Sequence, residues 1–310
     1  MKKYLHKKKA VYFILITMAL LFCLIIHQIS FAQSIKSSNI SLHNKLLYIK
    51  GNNIWASDTN GKQCHQLTNT GDISNFAIAS DLSKMVLVRN YKKLFIMDVI
   101  TGNKKFVADV ETDMSSPSIS PDNNKIIITS RSKRKFDTSK YTNETVRHIW
   151  LFDLKKKSNI DLTENSEKPC SAPQWSPDGK QISFTCSSAT KKGWYIYTIL
   201  DPAEINKQKK EVAPGFHSMW LDNKTIMIDN INMFGSERVM VISDLENSKI
   251  VKEIRFNPGM GTFQFSFEPP NNLYYEDARE NPDLDIGRLS ISTLKQDIII
   301  RDARSPIYCK

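Results

Sequence analysis

The chain has 310 residues, 41% of them hydrophobic and 24% charged, so it can bury a sizeable core as one large repeat domain or as two ordinary domains. Its formal net charge is +11, but five lysines lie within the first nine residues, and the remainder carries about +6. Because that N-terminus indicates export, the basic charge is not interpreted as a nucleic-acid signal, and nucleic acid is excluded as a partner.

The N-terminal segment has the order of a secretory signal. The lysine-rich start MKKYLHKKK precedes an apolar run, Val11 to Ile26, and a polar stretch that ends in SFAQ, with cleavage predicted after Ala32. An uncleaved membrane anchor is the alternative, because the apolar run and the mixed stretch after it nearly suffice to span a bilayer. We expect export in either case.

These boundaries divide the chain into three predicted regions. Residues 1–32 form a signal peptide or an N-terminal membrane anchor, residues 33–43 a linker, and residues 44–310 the folded domain. We expect the domain in the periplasm if the cell is Gram-negative, or anchored to the outer side of the inner membrane. Membrane attachment is predicted through the N-terminal segment only.

An internal repeat follows the linker. Five short, mostly apolar strands each end in aspartate, at successive intervals of 40, 55, 48 and 43 residues. These intervals are close to the four-stranded unit of a β-propeller blade. We expect each carboxylate to accept backbone N–H groups of the following turn, which is a structural role rather than a catalytic one. The aspartates are Asp58, Asp98, Asp153, Asp201 and Asp244.

A second marker, the hairpin segment WSPDGK at Trp175–Lys180, precedes the third strand of a unit. Pro177 presets φ for a turn, Asp178 caps it, and Gly179 accepts the left-handed conformation that follows. The flanking residues alternate between apolar and polar, which predicts half-buried strands. Weaker copies occur at 80–84, 120–125, 221–224 and 268–272.

The two markers together predict the number of blades. Complete units lie near 73–113, 114–168, 169–215, 216–256 and 257–301, and strands at 45–50, 53–57 and 63–68 leave one unit without its inner strand. The C-terminal tail at 305–310 is a strand with no unit of its own, and we predict that it supplies the missing one. The expected fold is an all-β, six-bladed β-propeller of four-stranded antiparallel blades, closed by pairing of the N- and C-terminal segments.

The repeat resembles that of the TolB family of WD-like propellers. The resemblance is carried by Pro173–Phe184, by Ile149–Asp153 with Leu162-Thr163, and by Leu67-Thr68, and it covers nearly all of the predicted exported part. It implies a periplasmic propeller that receives a protein partner. Since the repeats begin about a dozen residues after the signal, we expect no counterpart of that family's N-terminal α/β domain.

Catalytic signatures are sparse. The histidines after the signal form no H-E-x-x-H pattern, and no G-x-S-x-G elbow occurs. Oligogalacturonate lyases, which are propellers of this repeat type, gather metal-binding histidines from several blades, and that resemblance keeps a lyase or hydrolase acting on a polysaccharide or peptide as the alternative. We predict a non-enzymatic scaffold, without cofactor or metal, that binds an envelope protein or peptide. The histidines are His43, His65, His148 and His217.

Loops that interrupt the repeat are the predicted binding sites, because loops on a rigid scaffold usually carry binding. The connections between the second and third strands of all blades emerge on one face, where the third and sixth blades lie opposite each other. We expect a basic and an acidic side across the channel there, fitting a partner of complementary charge; solvated loops without a partner are the alternative. The predicted residues are Arg131, Lys133, Arg134, Lys135 and Tyr141 in the third blade, Trp194 in the fourth, and Glu276, Asp277, Asp283 and Asp285 in the last.

Two smaller questions are left open by the sequence. Glu280, Asp283 and Asp285 could also hold calcium, although their spacing is not that of an EF-hand. Four cysteines follow the signal and allow three disulfide connectivities. Cys170 and Cys186 flank one hairpin, but counting outward from its turn places them on opposite faces, so a direct bridge would need a shift in strand register.

Overall fold

The computed structural model describes residues 41–109, 113–131, 146–164, 166, 168–187, 193–199, 210–231, 238–257, 264–279 and 284–310. The predicted signal segment and most of the predicted linker lie outside these ranges. Within them the structure consists of strands and turns, and no helix there is long and apolar enough to cross a membrane.

The described residues form 24 strands between Lys45 and Cys309. The first twelve are β1 Lys45–Lys50, β2 Asn53–Ser57, β3 His65–Gln66, β4 Ile73–Ile78, β5 Lys84–Arg89, β6 Lys93–Asp98, β7 Lys104–Asp109, β8 Ser115–Ile119, β9 Lys125–Arg131, β10 Arg147–Asp153, β11 Ser158–Asp161 and β12 Cys170–Trp175. The others are β13 Ile182–Ser187, β14 Trp194–Ile199, β15 Lys210–Pro214, β16 His217–Trp220, β17 Thr225–Ile231, β18 Arg238–Asp244, β19 Lys249–Phe256, β20 Phe265–Glu268, β21 Asn272–Asp277, β22 Asp285–Ser290, β23 Gln296–Ile300 and β24 Arg304–Cys309.

The strands form six four-stranded antiparallel sheets, which confirms the predicted propeller. Five sheets are continuous in sequence, and the first joins the two ends of the folded domain in the order β24-β1-β2-β3. The tail pairs with β1 through Lys45 opposite Cys309, and the N–H of Asn44 donates to the carbonyl of Cys309 at 2.8 Å. The predicted closure by the C-terminal strand is therefore confirmed.

We letter the strands of each blade a to d from the channel outward, and this lettering defines two faces. The a strands begin, and the b–c loops lie, at one end of the propeller, which we call the b–c face. The a–b and c–d turns lie at the opposite end, which we call the c–d face. The antiparallel order of every sheet places these connections at alternate ends.

The core lies between neighbouring blades. In β9, Ile126 and Ile128 pack with Val88 of the second blade, whereas Ile127 packs with Phe184 of the fourth. Because successive side chains of a strand point to opposite faces and each blade is covered on both sides, the central strands read as nearly continuous apolar runs.

The hairpin marker folds as predicted. Asp178 Oδ1 accepts hydrogen bonds from the hydroxyl of Ser176 and from the N–H of Lys180, at 2.7 and 3.1 Å. Gly179 has a φ of 69°, and in the third-blade copy Asn123 takes its place with a φ of 58°. Asparagine tolerates this conformation better than most residues with a side chain, so the degraded copies still turn.

The aspartate that follows the third strand caps the c–d turn. In the third blade, Asp153 Oδ1 accepts the N–H groups of Lys155 and Lys156 at 3.0 and 2.8 Å. The equivalent residues Asp58, Asp98 and Asp244 make the same kind of contact, so their predicted structural role is confirmed. Asp201 lies outside the described residues.

Candidate functional site

The six inner strands converge around the axis and line a cavity of about 100 Å³. Its wall combines aromatic rings, prolines, a histidine and amide side chains. The cavity therefore offers both apolar contact and hydrogen-bonding groups to whatever enters it. One residue from each inner strand represents the wall: Phe76, Pro117, Pro173, His217, Phe265 and Pro306.

The prolines of the wall follow bulges in three inner strands. Ser116, Ala172 and Ser305 each precede a proline, have φ values of 49°, 52° and 57°, and coincide with a shift in the ladder to the neighbouring strand. An inner strand has no partner on its channel side, so a proline there removes no ladder hydrogen bond. The channel wall therefore contains bulges with positive φ, a backbone conformation that regular strands do not adopt.

The bulge at Ala172 also places the two cysteines of this hairpin differently from the sequence-based expectation. It shifts the ladder so that Cys170 lies directly opposite Cys186, and the two form a disulfide with Cα atoms 4.1 Å apart. The expectation that they point to opposite faces is wrong, because the extra residue restores the matching register. The bridge fastens the inner hairpin of the fourth blade at the b–c face. Cys64 and Cys309 are not bridged, and burial raises the pKa of Cys309 to about 12.

A buried charged cluster supports the channel wall in the fifth blade. His217 lies opposite Asp229 in the ladder between β16 and β17. Asp229 Oδ2 accepts a hydrogen bond from Arg238 Nη1 at 2.6 Å, and their side chains are only 2% and 9% exposed. Burial raises the pKa of Asp229 to about 6 even though Arg238 favours its charged form.

His217 is held neutral in this setting. Burial, reinforced by the positive charge of Arg238, lowers the pKa of His217 to about 4. Two shielded atoms, His217 Nδ1 and Asp229 Oδ1, have no hydrogen-bond partner among the described residues. The imidazole therefore presents a neutral hydrogen-bonding group at the channel wall near pH 7. Asp229, a carboxylate inside the apolar strand TIMIDNI, was the sequence signal that could have located this cluster.

His148 has a different position. It is fully buried in the third blade, where its Nδ1 lies 2.7 Å from Asp161 Oδ2, and the other carboxylate oxygen accepts the N–H of Thr163. These contacts connect strands c and d, and His148 is not part of the cavity wall that contains His217. Across the described ranges, no three His, Cys, Asp or Glu side chains lie close enough together to hold a metal ion.

The acidic loop predicted for the last blade is not exposed where the structure describes it. Glu276, Asp277 and Asp285 lie within strands and are 5%, 1% and 1% exposed. Glu276 accepts backbone N–H groups from Gln264 and Ser305, at 3.0 and 2.8 Å, and burial raises its pKa. These hydrogen bonds join two inner strands at the channel mouth.

The other two carboxylates also have partners within the last blade. Asp277 is paired with Arg279 at 2.7 Å, and Asp285 with Arg301 at 2.6 Å. The expectation that Glu276, Asp277 and Asp285 form an exposed acidic rim is therefore wrong, because strand extension turns their side chains into the blade. Asp283 and the calcium ligand considered at Glu280 lie outside the described residues.

The basic side is described only in part. Arg131 ends β9 and forms an ion pair with Asp113 at 3.4 Å. The other predicted residues of this loop, Lys133, Arg134, Lys135 and Tyr141, lie outside the described residues. In the fourth blade, the ring of Trp194 lies 5.3 Å from that of Phe216, next to His217 of the wall. The b–c face thus carries a partly buried aromatic pair, one member of which adjoins His217 of the channel wall in sequence.

No protein-family model matches the sequence, and no curated protein matches it. Among solved structures, the chain is similar to TolB from Acinetobacter baumannii, with a TM-score of 0.62 and 18% identity over 86% of this chain and 66% of that chain. It is also similar to an oligogalacturonate lyase in complex with manganese, with a TM-score of 0.54 and 14% identity over 80% of this chain and 70% of that one.

A third similar structure belongs to a nidogen/laminin complex, with a TM-score of 0.63 and 8% identity over 86% of this chain and 98% of that chain. The chain spans just under two thirds of the TolB chain. At identities this low, the three similarities show the fold alone.

Proposed function

We propose that this chain is an exported, non-enzymatic propeller of the TolB type, whose b–c face receives a protein or peptide of the cell envelope. The observation that carries the proposal is the convergence of all six inner strands on one narrow cavity with apolar and amide walls. A cavity of about 100 Å³ is small beside ordinary small-molecule pockets, but it fits one or two side chains of a docked polypeptide.

The aromatic pair at the mouth supports the same proposal. Trp194 and Phe216 are partly exposed on the b–c face, and Phe216 is next in sequence to His217 of the channel wall; rigid aromatic side chains of this kind are typical anchors of protein interfaces. On the same face, the Glu276 hydrogen bonds and the Cys170–Cys186 disulfide hold the inner strands in place. A preorganised mouth loses little conformational entropy when a partner docks.

One observation favours the alternative of a propeller lyase or hydrolase acting on a polysaccharide or peptide. His217 lies on the channel wall, and burial keeps its ring neutral near pH 7, the form that a general base requires, although a pKa lowered to about 4 makes it a weak base. A general base in a narrow channel would act on a polymer that threads or projects into it. This function would depend on His217 as the proton acceptor.

Photo-crosslinking in intact cells tests the leading proposal. The chain, with its own N-terminus, would carry benzoylphenylalanine in place of Phe265 at the channel or, as a control, in place of the exposed Ile250 on the outer strand of the fifth blade. We expect one dominant envelope-protein adduct from position 265 and none of it from position 250. Identical adducts from both positions, or no adduct from 265, would contradict the proposal.

The same adduct separates the two functions. A His217→Gln variant, which keeps a hydrogen-bonding side chain but has no titratable ring, should still give the adduct if the chain is a binding module. If the adduct disappears, and the purified wild-type chain shortens a polygalacturonate or peptide substrate that the variant leaves intact, the enzyme alternative is supported instead.

A further inference from the structure

A cleft of about 440 Å³ opens at the c–d face between the outer strands of the second and third blades. Its floor is formed by Phe152, which belongs to the buried cluster between these two blades, and by Ile96, Val107 and Leu154, which pack against that cluster. Phe106 stands at the rim and is 52% exposed. The cleft is thus an apolar recess that continues the interblade core to the surface.

Lysines surround this apolar floor. Lys105 and Lys157 line the cleft and are exposed. In the part of the chain that the structure describes, neither lysine forms an ion pair. The adjacent residues Lys155 and Lys156 are also exposed in the same c–d turn. The rim therefore presents several positive charges above an apolar base.

The two carboxylates that line the cleft offset the lysine charges only in part. Asp98 is paired with Lys84 at 2.6 Å and also accepts the N–H of Thr101. Asp153 accepts the N–H groups of its own turn, and these hydrogen bonds, with burial opposing them, lower its pKa. Asp153 keeps its negative charge, which the charges of Lys156 and Lys125 also favour. The lining nevertheless holds three lysines, Lys84, Lys105 and Lys157, against two carboxylates, so it has a net positive charge for an external anion.

We propose that this cleft is a second docking site, which takes an acidic peptide segment carrying one large apolar anchor residue. The anchor would cover the apolar floor, and flanking carboxylates would meet Lys105 and Lys157. Charge complementarity argues for an acidic segment, and the concave floor argues for a side chain that inserts. An anionic membrane is the less suitable occupant, because a flat lipid surface could contact the exposed Phe106 but would leave the recessed apolar floor uncovered.

This site lies on the opposite face from the proposed channel-mouth interface, so the two proposals are independent of each other. A partner at the channel would contact the b–c face, whereas the cleft is formed by β6, β7, β10, β11 and their c–d turns. Substitutions at the cleft should leave the crosslink from position 265 unchanged.

Fluorescence anisotropy with defined peptides tests the proposal. The probe is a fluorescein-labelled peptide, Gly-Asp-Glu-Phe-Glu-Asp-Gly. It is added to the full chain, purified in the form that the cell produces. One control peptide has serine in place of phenylalanine, and another has lysine in place of every acidic residue. We expect the acidic phenylalanine peptide to bind most tightly, and its affinity to fall as salt rises.

A double variant, Lys105→Glu with Lys157→Glu, should weaken this binding by about tenfold or more, because two attractions become two repulsions. Phe106→Ser should weaken it severalfold. The matched control, Lys249→Glu with Lys252→Glu, makes the same charge change on exposed positions of β19 and should alter affinity by less than about twofold. Circular dichroism of each variant checks that the propeller is folded.

Three results would overturn the proposal. The first is a wild-type chain that binds the control peptides as tightly as the acidic phenylalanine peptide. The second is a β19 control variant that weakens binding as much as the rim variant does. The third is binding to phosphatidylglycerol vesicles, abolished by the rim variant, without binding of the peptide, which would assign the cleft to a lipid surface.

Discussion

The b–c face and the cleft on the c–d face use charged residues in opposite ways. On the b–c face, the carboxylates of Asp229 and Glu276 are buried and bonded to a guanidinium or to backbone N–H groups. At the cleft, Lys105 and Lys157 point outward without an ion pair among the described residues. The comparison teaches that charge density alone does not locate a binding surface: inward charge holds the mouth in shape, and outward charge is available to a partner.

The buried pair in the fifth blade gives the largest expected effect. Asp229→Ala should lower the free energy of unfolding by about 3–5 kcal/mol, because it removes one partner of a buried ion pair. Guanidinium denaturation measures this. Replacing the pair together, Asp229→Leu with Arg238→Met, should recover much of the loss.

The control for this prediction is an exposed pair. Arg255 and Glu253 contact at 3.1 Å with side chains 57% and 46% exposed, so Glu253→Ala should change the free energy of unfolding by no more than about 1 kcal/mol. Equal losses in Asp229→Ala and Glu253→Ala would mean that the b–c face does not depend on its inward charges.

The disulfide at the b–c face gives the next effect. Cys170→Ala with Cys186→Ala should lower the free energy of unfolding by about 3 kcal/mol, the value expected for a loop of this length, since the cysteines are 16 residues apart. The exposed Cys64 supplies the control: its thiol donates a hydrogen bond to the Gly61 carbonyl at 3.3 Å and contacts Tyr48, so Cys64→Ser, which keeps a hydrogen-bonding group there, should change stability by less than about 1 kcal/mol. A double variant as stable as the control would show that the mouth needs no covalent bridge.

This disulfide marks the boundary of what the sequence could predict about the fold. The blade number and the closing strand followed from repeated turns and aspartates, each of which has a local physical cause. The register of β12 depends on the bulge at Ala172. Neither Ala172 nor Pro173 distinguishes a regular inner strand from a bulged one, since the choice depends on packing around the channel.

The candidate site was less predictable for the same reason. Glu276 and Asp277 look like loop residues because they are acidic and follow an apolar run, yet β21 extends through both of them and buries them. Whether a strand-end carboxylate faces solvent or meets a neighbouring strand is decided by tertiary contacts, here with Gln264 and Ser305. Phe106 and Leu154 come from different blades, so no local pattern indicates that they share a cleft.

The pH dependence of stability should separate the two titrating groups at the channel wall. The folded pKa of His217, about 4, lies below its ordinary value of 6.5. Its contribution to stability is therefore intact above about pH 6.5 and is lost as the pH falls toward 4. The pKa of Asp229 is raised to about 6, so stability rises as this group takes up its proton between about pH 6 and 4.

His217→Gln removes only the first of these effects. Between pH 6.5 and 4 the variant should lose about 2 kcal/mol less stability than the wild type, somewhat below the full ~3 kcal/mol of the pKa shift because the ring is partly exposed. Guanidinium denaturation at several pH values measures the difference. His65→Gln, at an exposed position, should follow the wild type. Parallel curves for wild type and His217→Gln would contradict the inward-charge interpretation of this wall.

The rim of the cleft should give the smallest effect on stability. Lys105→Glu and Lys157→Glu should each change the free energy of unfolding by less than about 0.5 kcal/mol, because both side chains are exposed and form no described ion pair. Combined in one variant, the same two substitutions are expected to weaken binding of the acidic peptide by about tenfold or more. A residue that matters for binding and not for stability is one whose charge is directed at a partner. If either substitution destabilised the propeller by more than about 1 kcal/mol, the lysines would be structural like Arg238, and the contrast between the two faces would fail.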